Sequence, residues 1–165
     1  MVILVTVLYP GSFDPITNGH LDIIRRIIGF GGNVVVGVMH NVYKESSFLF
    51  SQDQRVSLIR AALKEGLGRD DIGVVVFSGL LVDVFEEYGA DVVARGARYG
   101  GEFEREVCQA CANRAMNPRC ETIFIPSSPE NAFISSSRVV EIARFGGDVS
   151  GMVPECVSKA LKYKF

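Results

Sequence analysis

The sequence predicts an α/β fold, a doubly wound parallel sheet of five strands in one domain. Two observations carry this. Short β-branched, apolar runs recur five times along the chain, and segments with helical spacing or helix caps separate them. Strands that alternate with helices need crossover connections, and those crossovers cover a parallel sheet on both faces. Val2–Tyr9 is the first run, apolar enough for burial on both sides. After Asn18, residues Ile23, Ile24, Ile27 and Ile28 fall at helical spacing, and Gly31-Gly32 ends that helix. Val34–Val38 is the second strand. Ser51 followed by Gln54 makes a capping box that opens a helix to about Glu65. Ile72–Phe77 is the third strand, and Leu80–Tyr88 a short helix closed by Gly89. Asp91–Ala94 is the fourth strand, Glu102–Met116 a longer helix, and Glu121–Ile125 the fifth strand. Helices follow at about Ser136–Phe145 and Pro154–Lys162. The pattern is Rossmann-like, with the first strand expected at the centre of the sheet and a single domain over residues 1–165.

Composition narrows the function classes. Hydrophobic residues make up 48% and charged residues 22%, which excludes a disordered chain, collagen and a coiled coil. A net charge of −2 leaves no electrostatic footprint for duplex nucleic acid or an anionic membrane, so neither is expected as a partner. The longest apolar run, Val2–Leu8, is far short of the roughly 20 residues of a spanning helix. No basic segment precedes it, and Pro10, Gly11 and Asp14 follow where a leader's cleavage site should be. A cytoplasmic protein with reduced thiols is expected. Cys108 and Cys111 form a C-x-x-C, but zinc needs four ligands, usually from two such pairs. Cys120 and Cys156 stand apart, and His20 and His40 are the only histidines. Within a helix, that spacing places two small side chains on one face, so buried structural cysteines are expected and no protein-held metal.

In such sheets ligands bind beyond the carboxyl ends of the strands, where strand order reverses. Neither G-x-x-x-x-G-K-[ST] nor a G-x-G-x-x-G after a strand is present, so the two common phosphate fingerprints are absent. The first strand instead runs into Tyr9-Pro10-Gly11-Ser12-Phe13-Asp14-Pro15-Ile16-Thr17-Asn18-Gly19-His20. Gly11 permits a tight turn, and Ser12 offers a hydroxyl and an N–H to a phosphate. The helix opening at Thr17 has free N–H groups that attract anions, with His20 in its first turn. Lys44 supplies a mobile charge after the second strand. Arg95 and Arg98 flank Gly96-Ala97 in what reads as a loop, able to grip phosphate or to pair with Glu102 and Glu106. Ser135-Ser136-Ser137 opens a later helix with more hydroxyls than one cap needs. Leu80 and Leu81 read as core at a helix start, with room to line a pocket for an apolar arm. Phosphate loops on several strands without a nucleophile–base pair indicate direct phosphoryl or nucleotidyl transfer.

The T-x-G-H signature after P-G-[ST]-F-D-P resembles the nucleotidyltransferases that share an H-x-G-H motif. Together with Lys44, Ser78-Gly79-Leu80-Leu81, Arg95-Gly96-Ala97-Arg98, Glu102-Phe103-Glu104 with Glu106 and Asn113, and Phe133-Ile134-Ser135-Ser136-Ser137, it resembles the bacterial phosphopantetheine adenylyltransferases. The resemblance covers Tyr9 to about Leu161. It implies that the phosphate of 4′-phosphopantetheine attacks the α-phosphorus of ATP, giving dephospho-coenzyme A and pyrophosphate. It implies Mg2+ as cofactor, dephospho-coenzyme A and coenzyme A as product or feedback ligands, and a homohexamer. By the same resemblance, His20, Lys44 and Arg98 are catalytic, and Ser12, Lys44, Leu81 and Arg95 bind phosphopantetheine. ATP falls to Ser12, Phe13, His20, Gly96, Ala97, Arg98 and Glu106, and to Asn131, Ala132, Phe133, Ile134, Ser135, Ser136 and Ser137. The chain departs from the family in the 41–50 segment, which lacks its usual proline and second lysine, at Arg105 in place of an aromatic residue, and at Val140 in place of a lysine. The rival readings are a nicotinamide mononucleotide adenylyltransferase or cytidylyltransferase on the same scaffold, a non-catalytic nucleotide sensor, and, more weakly, a flavodoxin-like electron carrier.

Overall fold

The strand nearest the N-terminus lies in the middle of the sheet. A computed structural model describes residues 4–40, 47–98 and 101–165. Its elements, in order, are β1 (Val5–Gly11), α1 (Asn18–Gly29), β2 (Gly32–Met39), α2 (Gln52–Leu67), β3 (Gly73–Phe77) and α3 (Leu81–Glu87). They continue as β4 (Val92–Ala97), α4 (Gly101–Met116), β5 (Thr122–Pro126), a 3-10 turn at Pro129–Asn131, α5 (Ser136–Arg144) and α6 (Glu155–Lys164). The sheet is parallel throughout with order β3-β2-β1-β4-β5. This is the expected doubly wound single domain, with its reversal between β1 and β4.

Alternation along β1 explains the two layers. Val7 and Tyr9 point into the larger core with Ile23, Ile24 and Ile27 of α1. Leu8 points the other way, into a smaller core with Phe77, Val82, Phe85, Val93 and Cys120. The predicted capping box at Ser51 forms, with Ser51 and Gln54 bonded reciprocally, and Gly68 ends α2 in the left-handed conformation. Glu65 on α2 accepts from the backbone N–H groups of Glu155 and Cys156, which caps α6 and fixes it against α2. Burial, with Glu65 beside it, pushes the Cys156 thiol up to about 11, so it carries no reactive thiolate at neutral pH.

Two expectations need correction. β4 does not stop at Ala94 but runs on to Ala97, because β5 pairs it as far as Ala97 with Pro126. Arg95, Gly96 and Ala97 are therefore strand residues, and only Arg98 lies beyond the strand. Cys108 and Cys111 are exposed, not buried. The face that α4 turns inward carries Glu106, Ala110 and Asn113, of which Asn113 is buried, and the cysteines fall on the opposite side. Among the described residues no helix is long and apolar enough to cross a membrane.

One buried charge ties the phosphate-side loops to the sheet. Arg55 is 1% exposed, and its Nη1 donates to the carbonyls of Ser12 at 2.7 Å and Met39 at 3.0 Å. Its guanidinium also stacks over Phe48, 4.2 Å from the ring centre. Asp14 completes the tie by accepting from the N–H groups of Leu49 and Phe50. Replacing Arg55 by Met leaves two buried carbonyls without their donor, each costing about 1–3 kcal/mol. Urea unfolding of Arg55→Met should show a loss of about 2–4 kcal/mol, partly recovered in Arg55→Lys. A change within about 0.5 kcal/mol would mean that the anchorage does not hold the loops.

Candidate active site

β1 and β4 are paired over only two residues, Val7 with Val92 and Leu8 with Val93. Beyond them β1 continues to Gly11 alongside β2, and β4 continues to Ala97 alongside β5. The two carboxyl ends separate and leave a cavity of about 340 Å³. Its floor is Tyr9–Phe13 with Arg95 and Gly96, and its far wall is Asn131 and Ile134–Ser137. The N-termini of α1 and α5 both open onto it, and their first turns hold N–H groups without helical partners.

The turn after β1 is held tightly. Phe13 has a φ of 48°, in the left-handed region that a bulky residue rarely enters. Its ring is buried and meets His20 edge to face, with centroids 5.0 Å apart. A side chain at Gly11 would come within 3.0 Å of that ring, so the close approach needs glycine.

His20 is the N3 residue of α1 and closes a capping box with Thr17. The backbone N–H of Thr17 donates to His20 Nδ1 at 3.0 Å. An N–H can only donate, so Nδ1 is an acceptor and the ring proton sits on Nε2. Burial, then the charges of Arg98 and Arg95, push the imidazole down to about 3. The site therefore holds a neutral histidine with one N–H available as a donor. Among the described residues no hydrogen bond joins Ser12 to His20.

The cations arrive through ion pairs. Arg95 makes a two-point contact with Glu106, Nε to Oε2 at 2.6 Å and Nη2 to Oε1 at 2.5 Å, and also donates to the Pro10 carbonyl. Arg98 donates to the Ile134 carbonyl at 2.6 Å and to Glu102 at 3.0 Å. The expected carboxylate pairs and the expected cavity positions are both present. Of its five N–H donors Arg95 engages three and Arg98 two among the described residues, which leaves hydrogens for an anion. The three serines divide their work. Ser135 caps α5 through the Arg138 N–H, Ser136 donates to the Pro15 carbonyl at 2.8 Å, and Ser137 lies 3.2 Å from Ser135, hydroxyl to hydroxyl. A second cavity, of about 400 Å³, adjoins across Pro10, Arg95 and Glu106. Its wall is largely apolar, with Met39, Phe77, Leu80, Leu81, Val93 and Met116.

Comparison with known proteins places this geometry. The cytidylyltransferase-like family model matches residues 8–142. A phosphopantetheine adenylyltransferase of Syntrophotalea carbinolica is 46% identical over 95% of this chain and 92% of its own. That of Dictyoglomus turgidum is 41% identical over 98% of both chains, and that of Rhizobium meliloti 43% identical over 98% and 99%. The chain belongs to the phosphopantetheine adenylyltransferase family. A solved structure from Vibrio parahaemolyticus, a "Putative Nicotinate-nucleotide Adenylyltransferase", superposes with a TM-score of 0.65 at 16% identity, covering 98% of this chain and 93% of that one. At that identity the likeness shows the fold alone.

Twelve of the residues expected from the family motifs surround the first cavity: Ser12, Phe13, His20, Arg95, Gly96, Arg98, Glu106, Asn131, Ile134, Ser135, Ser136 and Ser137. Leu81 lines the second cavity. Ala97, Ala132 and Phe133 line neither; the Ala97 carbonyl accepts from Ser127, and Phe133 is exposed. Lys44 lies outside the described residues. Sequence reasoning missed Tyr9, Thr17 and Ile23 as cavity residues. Thr17 was legible, since a Thr with His at N3 is a capping pattern; Tyr9 and Ile23 looked like ordinary core. Among the described residues no group of three or more His, Cys, Asp or Glu side chains is placed to hold a metal.

Two measurements test the role of His20. His20→Ala should lower kcat by about 10²–10³, the usual cost of one donor aimed at developing charge, with ATP affinity little changed. Activity within about threefold of the parent would remove His20 from the chemistry. By NMR, the His20 ring should remain the neutral Nε2–H tautomer down to about pH 3. The unfolded chain's imidazole takes its proton near pH 6.5, so the folded state loses stability as pH falls from 6.5 towards 3. An imidazolium signal for His20 at pH 6 would overturn the assignment.

Proposed function

We propose that the chain transfers the adenylyl group of ATP to 4′-phosphopantetheine, forming dephospho-coenzyme A and releasing pyrophosphate in coenzyme A biosynthesis. The observation that carries the reading is the pair of cavities that meet at Arg95 and Glu106, one lined by anion donors and the other by apolar side chains. Near-complete alignment with curated phosphopantetheine adenylyltransferases supports it. ATP occupies the donor-lined cavity, with its polyphosphate between the N-termini of α1 and α5. The phosphopantetheine arm lies along Leu81 and Met116, and its phosphate meets the nucleotide near Arg95.

A phosphate monoester is already mostly dianionic at pH 7, its second pKa being about 6, so the attack needs no general base. The attacking oxygen forms a bond to the α-phosphorus as the bond to the pyrophosphate oxygen breaks, and the electron pair leaves with pyrophosphate. What remains for the protein is positioning and charge stabilisation. The neutral His20 donates through Nε2 to the oxygens where charge gathers, and as a neutral group it cannot be lost to a salt bridge with Glu102 or Glu106. Lys44 and Arg98 add cations in this reading.

Magnesium fits the site as an ion carried in by the triphosphate. Among the described residues no carboxylate cluster is placed to cage the ion, so it would keep water and phosphate oxygens as ligands and would neutralise part of the polyphosphate charge. A cytoplasmic location and a homohexamer belong to the same reading. Dephospho-coenzyme A and coenzyme A belong to it as product or feedback ligands.

The test is pyrophosphate release from ATP and magnesium with phosphopantetheine, nicotinamide mononucleotide or phosphocholine as acceptor. Release with phosphopantetheine alone is expected; preference for either other acceptor would transfer the reading to that enzyme, and none with any would favour a sensor. Within the reading, Arg95→Ala should raise the KM for phosphopantetheine more than that for ATP. Ser137→Ala should do the reverse, and equal effects on both would mean that the site is divided wrongly.

A further inference from the structure

Tyr9 presents an unexplained hydroxyl. Its side chain belongs to the larger core and is 4% exposed. The ring packs edge to face on Phe13, centroids 5.6 Å apart, and lies 6.4 Å from the His20 ring. Among the described residues the other buried six-membered rings, Phe13, Phe50, Phe77 and Phe85, are all phenylalanines. Packing alone would be served equally well by phenylalanine at position 9. Among the described residues no hydrogen bond engages the Tyr9 hydroxyl. The ring is buried, but its hydroxyl oxygen is not sealed from solvent: it reaches the cavity, where a ligand or water can accept its hydrogen. Tyr9 lines the donor cavity, and its oxygen lies 4.0 Å from where the Cβ of a side chain at Gly96 would sit.

We infer that the Tyr9 hydroxyl is a substrate-contacting donor, giving its hydrogen to an oxygen of the reacting phosphates beside His20. This rests on the adenylyl-transfer reading. Burial raises the phenol's pKa, which keeps the proton on oxygen and makes Tyr9 a donor. Two neutral donors, the Tyr9 hydroxyl and His20 Nε2, would then face the phosphates from one wall. Arg95 and Arg98 face them from β4 and its end. The neutral donors are the members of this set without a carboxylate partner; each arginine keeps one and offers the substrate its remaining hydrogens.

The experiment compares Tyr9→Phe with the parent, using phosphopantetheine and ATP, 2′-deoxy-ATP or 3′-deoxy-ATP, alongside thermal unfolding. Loss of one hydrogen bond to a charged group should lower kcat roughly 10–100-fold. The factor should be the same with all three nucleotides, and the unfolding midpoint should not fall. A loss that vanishes with either deoxy nucleotide would place the hydroxyl on the ribose and overturn the phosphate contact. Activity within threefold of the parent would mean a hydroxyl that only water satisfies, and a lowered midpoint with unchanged kcat would mean a packing role. A second measurement uses the wild-type chain with ¹³Cζ-labelled tyrosine. The α,β-methylene analogue of ATP should shift the Tyr9 resonance, assigned by through-bond correlation to its own backbone, and no shift would overturn the contact even if the variant failed to fold. Parent protein that releases no pyrophosphate would sink the adenylyl-transfer reading, whereas that shift would still decide whether Tyr9 meets the nucleotide.

Discussion

β1 and β4 are held together over two residues and then part, and the site depends on that separation. A parallel sheet wound in both directions from its first strand must reverse once, and there no crossover helix fills the space above the strand ends. Each strand keeps its outer partner, β2 accompanying β1 to Gly11 and β5 accompanying β4 to Ala97, while the inner edges open. On the opened side Arg95 donates to the Pro10 carbonyl. It brings the turn after β1 opposite Arg95 and Gly96, and the same gap admits the N-termini of α1 and α5.

The donors at this opening are held by backbone geometry more than by one another. His20 is oriented by the Thr17 N–H, Ser136 by the Pro15 carbonyl, and Arg98 by the Ile134 carbonyl. The Ser12 carbonyl is pinned from behind by Arg55. A substrate that displaces Glu102 or Glu106 from an arginine thus leaves these other anchors in place. Such preorganisation matters for a reaction that needs no proton transfer, since the barrier then falls through placement and fixed dipoles.

Much of this was legible in the sequence, for reasons that differ by residue. The parallel sheet followed from the alternation of elements, and the caps at Ser51 and Ser135 from local chemistry that does not depend on the rest of the fold. The end of β4 was not legible. Arg95-Gly96-Ala97 has the composition of a loop, and only pairing with β5 makes it strand. The cysteines of α4 were misplaced because spacing shows that two side chains share a face without showing which face the sheet covers. Tyr9 was hidden in another way. In a run of apolar residues a tyrosine reads as core, and its ring is core; that its oxygen stands at the cavity emerges only when β1 and β4 are seen to part.

The electrostatics of the opening explain why a histidine suits the position after Gly19. A lysine there would add a third fixed charge beside Arg95 and Arg98, and either glutamate would compete with the substrate for it. The imidazole is kept neutral by burial and by those same arginines, so it costs no repulsion before substrate binds. In the proposed reaction a polyphosphate would offset those arginine charges, and the Nε2–H would be attracted more strongly as negative charge collects on the oxygens in front of it. The group responds most where charge develops most, which is the condition for stabilising a transition state over the bound substrate. Under the proposed function the two arginines and the histidine would form one device: the cations would draw the anion in, and by suppressing the ring's charge they would keep the donor free for the reacting oxygens.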